Sequence, residues 1–165
     1  MSADRAALWA GLQSGALDVL ATDHCPFTAA EKAGHADFTT IPGGLPSIEG
    51  RLALAYHFGR AHGLSLVRWV EVCCAAPARL FGLTRKGRLA PGCDADIVVF
   101  DPLRRVTLRA GQTLHERVDW SPYHGLEVEG WPRDVFVRGR QVVRDGVFVG
   151  EPGWGRFVPR APFRV

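Results

Sequence analysis

Three features are absent from these 165 residues: a block of like charge, an apolar run long enough to cross a bilayer, and a paired-cysteine motif. Each absence removes a class of function. The net charge of +3 comes mostly from arginines scattered along the chain, with nothing denser than Arg104-Arg105. A nucleic-acid surface needs clustered positive charge, so no nucleic-acid partner is expected. No stretch approaches the ~20 apolar residues of a membrane span, and the opening MSADRAALWAGLQSG has no apolar signal-peptide core. The expectation is a soluble, cytoplasmic chain without membrane contact. Cys25, Cys73, Cys74 and Cys93 form neither a Cys-x-x-Cys nor a disulfide framework and read as free thiols of a reducing compartment. Internal repeats and low-complexity tracts are also missing.

What is present is the composition of a folded chain, 47% hydrophobic and 22% charged, with 19 Gly and 11 Pro punctuating it. The first segment reads as a helix, with Ser2 as N-cap, an apolar stripe of Leu8, Trp9 and Leu12, and Gly15 as a left-handed stop. Leu17 to Thr22 has little polar alternation, the mark of a parallel strand buried on both faces. Asp23 to Pro46 reads as a long loop, a length that usually signals function or disorder. A helix follows from Pro46 to about Gly63, with Ile48, Leu52, Ala55 and Phe58 on one face. A second starts at Ser65 as N-cap and carries Leu66, Trp69, Val70 and Cys73, and Pro77 opens a short helical turn closed by Gly82. Beyond Gly87 the pattern becomes all-β. Strands are expected at Ala95–Phe100, bounded by Asp101-Pro102, and at Arg105–Arg109. A hairpin with strands at Asp134–Arg138 and Gln141–Arg144 turns at Gly139-Arg140, and Asp145-Gly146 marks one more turn. The tail after Gly150 reads as chain draped over the surface.

One position stands out chemically. Asp23, in Thr22-Asp23-His24-Cys25-Pro26-Phe27, falls where a buried parallel strand gives way to a long loop. In parallel α/β folds the carboxyl ends of strands carry the active site. A carboxylate there can bind a divalent metal and accept a proton from water; it can equally cap the loop's own N–H groups. Asp23, His24, Cys25 and His35 include ligand types, but their spacing fits no standard metal motif. His57, His62, His115 and His124 read as exposed or helix-end residues. Asp94 and Asp96 read as turn organisers, and Glu49 as a complement to a helix dipole.

The segment Ala21–Phe27 resembles the stretch after the last barrel strand of hydantoinases and dihydropyrimidinases. Asp37–Gly44 followed by Ile48–Leu52 resembles that family's next block. Ala76–Leu83 is similar to its NPAKLFGL element, and Lys86–Val98 to the amidohydrolase pattern KGxIxxGxDADIV. Trp120–Gly125 and Gly153–Val158 resemble the ending of this branch. The likeness runs in order along nearly the whole chain.

The fold this resemblance implies is α/β plus β, the C-terminal part of a (β/α)8 amidohydrolase barrel followed by β-sandwich strands. Residues 1–86 would be the last helix–strand unit with terminal helices, 87–149 the sandwich strands, and 150–165 an extended tail. The implied enzyme hydrolyses ring amides, hydantoin or dihydropyrimidine to N-carbamoyl amino acid. By the same resemblance Asp23 is both metal ligand and proton-shuttling base. Gly43 takes the place of an Asn whose backbone holds the ring amide. The intact enzyme is expected to use a divalent metal, two zinc ions. This chain alone is expected to bind none and to be inactive, because the early His-x-His pair, the carboxylated Lys and two further His have no counterpart here. Self-association, or a missing N-terminal barrel portion, is the expected partner besides the small cyclic substrate. Two other readings stay open: a non-catalytic dihydropyrimidinase-like interaction protein, and a piece of a dihydroorotase- or allantoinase-like hydrolase. The Thr-Asp-His-Cys-Pro-Phe block favours the hydantoinase branch.

Overall fold

The structure is a computed structural model, and it describes residues 2–162. The cap expected of Ser2 concerns a side chain outside the described set. Helix α1 (Ser2–Ser14) ends where Gly15 adopts φ +86°, as its sequence dictates. A four-residue helix, α2 (Ala29–Lys32), interrupts the long loop. It exists because Thr28 and Glu31 form a capping box, with Thr28 N donating to Glu31 Oε2 at 2.6 Å and Glu31 N to Thr28 Oγ1 at 3.2 Å.

Helix α3 (Arg51–Ala61) is followed by α4 (Leu66–Val70), where Ser65 caps by accepting from Arg68 N at 3.1 Å. The chain stays helical through a π turn at Glu71–Ala75 into α5 (Ala76–Leu80). Pro77 explains the π turn. It has no N–H to give, so the carbonyls of Val72 and Cys73 lose their partners along the helix. Leu20 N takes up Val72 O at 3.1 Å, and Arg51 Nη1 takes up Cys73 O at 3.2 Å.

Those two contacts fix the segment expected to be strand 17–22, which is extended but belongs to no sheet. No strand among the described residues flanks it. Leu17 N donates to Gly11 O, Arg51 Nη1 to Leu20 O at 3.1 Å, and Arg68 Nη2 to Leu17 O at 2.7 Å. Arginines therefore hold by hydrogen bonds a segment that has no neighbouring strand to pair with.

Four strands form one antiparallel sheet in the order β1 (Ile97–Thr107), β2 (Glu127–Val137), β3 (Arg140–Arg144), β4 (Val147–Phe148). Two expectations are corrected here. Asp101-Pro102 does not end a strand; it lies at a register shift between Asp101 and Arg105 that lets β1 run on past the proline. The hairpin turns one residue earlier than expected, at Arg138-Gly139, where both φ angles are positive (+48° and +79°) as a type I′ turn requires. Asp145-Gly146 repeats that geometry at +47° and +81°. Among the described residues there is a single sheet, so the two-sheet sandwich is not closed within this chain.

Helix α3 ties the two parts together by feeding two cores. Ala55 and Tyr56 join Leu12, Leu64, Trp69, Val72 and Cys73, while Ala53 joins Leu108, Leu114 and Val128. The rings of Tyr56, Trp69 and Phe100 meet at 4.9–5.3 Å between centroids, bridging helices and sheet. Helix α3 starts at Arg51, later than the expected Pro46, so Ile48 lies before it in an exposed turn; of the expected stripe Leu52 and Ala55 face this core, whereas Phe58 stays exposed. The tail is anchored at both ends. Trp154 donates to Val137 O at 3.0 Å under the guanidinium of Arg138, and Ala161 N reaches Gly82 O at 2.9 Å.

Candidate functional site

Three non-glycine residues among those described have positive φ. Arg138 and Asp145 are explained by their hairpin turns; Asp23, at φ +47°, is not in such a turn. Asp tolerates the left-handed region better than most residues, but an unexplained outlier of this kind marks a place where the fold holds the backbone for another reason. The Asp23 side chain is exposed and has no hydrogen-bond or ion-pair partner among the described residues. It does not cap the loop, so that alternative is removed.

The residues around Asp23 hold it in place. His24 Nδ1 accepts from Ser47 N at 3.0 Å and Ile48 N at 3.3 Å, so its ring proton sits on Nε2. Ser47 Oγ donates back to Thr22 O at 3.2 Å. Cys25 N donates to Leu45 O at 3.2 Å within a parallel bridge between His24 and Leu45. The head and the foot of the loop therefore run side by side, with Cys25 against Gly44. Gly44 permits this approach: a Cβ on it would lie 2.3 Å from Cys25 O, and its φ is +137°. Gly43, one residue earlier, is exposed, and a Cβ there would meet nothing within 4 Å.

A second loop closes over this one. Trp120 Nε1 donates to Phe27 O at 2.8 Å, and Asp119 Oδ1 accepts from Ala29 N at 2.9 Å. Glu49, expected at a helix dipole, instead grips that second loop through His115 Nδ1 at 2.6 Å and His115 N, while its own N–H donates to Glu116 Oε1 at 2.9 Å. His57 is not a free surface group either: its Nδ1 accepts from Glu129 N at 3.1 Å on β2. His62 stacks on Trp9, and His35 contacts Glu31 O at 3.0 Å. Asp94 and Asp96 do organise a turn, both pairing with Lys86, and Asp96 Oδ1 also accepts from Arg138 N at 2.8 Å. Sequence reasoning passed over Arg51, Arg68 and Lys32, whose partners are carbonyls that only the folded chain brings near.

Asp23 thus presents an exposed carboxylate without a partner among the described residues, on a braced loop that also carries the exposed Gly43. Residues 1–142 match the Amidohydrolase family, and the chain belongs to that family. It is 43% identical to a D-hydantoinase of Streptomyces coelicolor over 95% of its own length and 34% of the relative's. It is equally identical to a D-phenylhydantoinase of Escherichia coli, covering 94% of this chain and 34% of that one. Among solved structures, a D-hydantoinase (dihydropyrimidinase) from Thermus sp. superposes with a TM-score of 0.91 at 45% identity, over 95% of this chain and 35% of that one. Dihydropyrimidinase from Brevibacillus agri gives 0.93 at 41%, over 97% and 35%. The chain spans about a third of the length of the relatives it matches.

Amidohydrolases are generally metal-dependent. The donor set here does not fit a metal centre of its own: among the described residues no three His, Cys, Asp or Glu side chains converge. His24 is turned to backbone N–H groups, and Asp23 stands alone. No helix among the described residues is long and apolar enough to cross a membrane.

Proposed function

We propose that this chain supplies one wall of a cyclic amidohydrolase site that opens hydantoin or dihydropyrimidine rings to N-carbamoyl amino acids. One observation carries the reading: the exposed, left-handed Asp23 carboxylate, without a partner among the described residues, at the head of a loop whose foot carries Gly43-Gly44, in a member of this family whose relatives are hydantoinases. In ring opening, water oxygen bonds to the ring carbonyl carbon and the ring C–N bond breaks. Asp23 accepts the proton that water gives up and returns it to the departing ring nitrogen. The Gly43 backbone holds the ring amide in line. Asp23 is also one ligand of a divalent-metal centre, two zinc ions, whose other ligands lie in the part of the relatives that this chain does not span.

In this reading residues 1–86 are the end of a barrel with terminal helices, 87–149 are β-sandwich strands and 150–165 are an extended tail. The chain acts with further barrel, or with copies of itself. Supporting this, the outer edge of β1 has no strand beside it among the described residues, and a groove of about 480 Å³ between β1 and the helices is lined by residues that include Leu52, Val70, Leu89, Val98 and Phe100. Leu89 is 76% exposed there. The test joins residues 1–165 in frame to the portion of the Streptomyces coelicolor D-hydantoinase they do not span. Hydantoin, dihydrouracil, dihydroorotate and allantoin are then assayed for ring opening. Turnover of hydantoin or dihydrouracil is expected, with none by residues 1–165 alone. A folded fusion that opens no ring contradicts the proposal and favours a non-catalytic interaction protein.

A further inference from the structure

The geometry points to Lys32 as the positioning residue of the Gly43 backbone. This inference rests on the reading of Gly43 as the group that faces the ring amide. Gly43 has no side chain to anchor it, and a Cβ there would meet nothing within 4 Å. The residue after it is pinned, because Gly44 packs against Cys25. The peptide group before it is held by Lys32, whose Nζ donates to Pro42 O at 2.7 Å. That carbonyl belongs to the same planar unit as the Gly43 N–H, so fixing one fixes the direction of the other. An ammonium on the carbonyl also polarises the amide, which makes its N–H a better donor.

Lys32 is itself braced. It ends α2, which starts with the Thr28–Glu31 capping box and with Ala29 N on Asp119. Its ammonium lies 5.6 Å from the ring centroid of Phe27 and 5.9 Å from that of Trp120, and Trp120 bonds Phe27 O. The side chain is half-buried at the end of a four-residue helix within the loop. Its position therefore suits orienting the loop, and stability should depend little on it.

The test compares Lys32→Met and Lys32→Arg with the parent chain by 15N relaxation of residues 1–165. Gly43 is expected to fall from an order parameter of about 0.85 to below about 0.6 in Lys32→Met, while β2 amides stay unchanged. Lys32→Arg, which keeps a cationic donor, restores most of it. An unaltered Gly43 in Lys32→Met overturns the inference; so does loss of order in β2 along with it, since that marks Lys32 as a general structural residue. In the full-length fusion, hydantoin KM is expected to rise about tenfold in Lys32→Met with kcat nearly unchanged. A changed kcat with unchanged KM contradicts positioning. If the parent fusion opens no ring, the functional reading of the site falls, and the relaxation result alone decides what Lys32 does.

Discussion

Replacing Arg51 with Met removes the guanidinium while keeping most of its apolar stem. Two acceptors lose their donor: Leu20 O at 3.1 Å and Cys73 O at 3.2 Å. The second cannot return to a helical partner, because the residue four positions on is Pro77. Hydrogen bonds to a charged group contribute about 1.5–3 kcal/mol each. Arg51 is only half-buried and water can replace part of the loss, so about 3 kcal/mol in total is expected. For a chain of this size each kcal/mol shifts Tm by about 2–4 °C, giving a fall of about 6–12 °C. Thermal unfolding followed by the fluorescence of Trp9 and Trp69, which line the same core, measures it. Arg79→Met is the matched control. Its bond to Glu71 at 3.0 Å is largely exposed, and such pairs contribute about 0–1 kcal/mol. Equal Tm shifts for the two variants would refute the account of how segment 17–22 is held.

Four further outcomes follow from the same structure. Gly130→Ala places a Cβ 2.3 Å from Tyr56 Cδ1 at a φ of +96°, and overpacking with left-handed strain should together cost about 2–6 kcal/mol in urea unfolding; a loss under about 1 kcal/mol contradicts the packing of α3 on β2. The hydrogen bond from Lys86 holds the Asp94 carboxyl below its ordinary range, with Arg85 adding to it. A carboxylate depressed in the folded state stabilises above its unfolded pKa and loses that contribution as pH falls through the folded one. The stability gap between parent and Lys86→Met should therefore be full at pH 6 and shrink below about pH 4; a gap that widens in acid contradicts the pairing. Burial pushes the Cys73 thiol up to about 11, so a thiol reagent at pH 8 should modify the exposed Cys25 well before Cys73. Peptide mapping that finds Cys73 first overturns this. Finally, with an open β1 edge and exposed Leu89, Val98 and Leu103, residues 1–165 should sediment as a dimer or larger at micromolar concentration; a monomer with a sharp melting transition contradicts the open-edge picture.

The parts of the fold that local chemistry dictates were legible in the sequence. Gly15, Ser65 and the Asp145-Gly146 turn are set by φ preferences and caps acting within a few residues, whereas the first hairpin turn was read one residue late because Arg138, not only glycine, takes the left-handed conformation there. What was not legible depends on distant partners. Leu17–Thr22 has the composition of a buried strand, but no strand is beside it to complete the ladder, so it is held by arginines instead. The π turn required seeing that Leu20 and Arg51 could satisfy the carbonyls freed by Pro77. In the site, Asp23 and Gly43 were visible as the two ends of one loop. That the head and foot of this loop run side by side was not, because it depends on the bridge between His24 and Leu45 and on the tight approach of Gly44 to Cys25. Lys32 left no signal at all, since a single lysine in a polar loop looks like any solvated charge.

Asp23→Asn in the full-length fusion tests the central claim most directly. The substitution keeps size and left-handed tolerance but removes the group that accepts a proton. Ring opening of hydantoin should fall by at least ~10²–10⁴-fold in kcat, the range typical of general acid–base catalysis, while His24→Gln loses less and the melting temperature of Asp23→Asn stays close to the parent's. An Asp23→Asn fusion that opens hydantoin at near-parent rate with undiminished metal content would show that this carboxylate does not carry the chemistry.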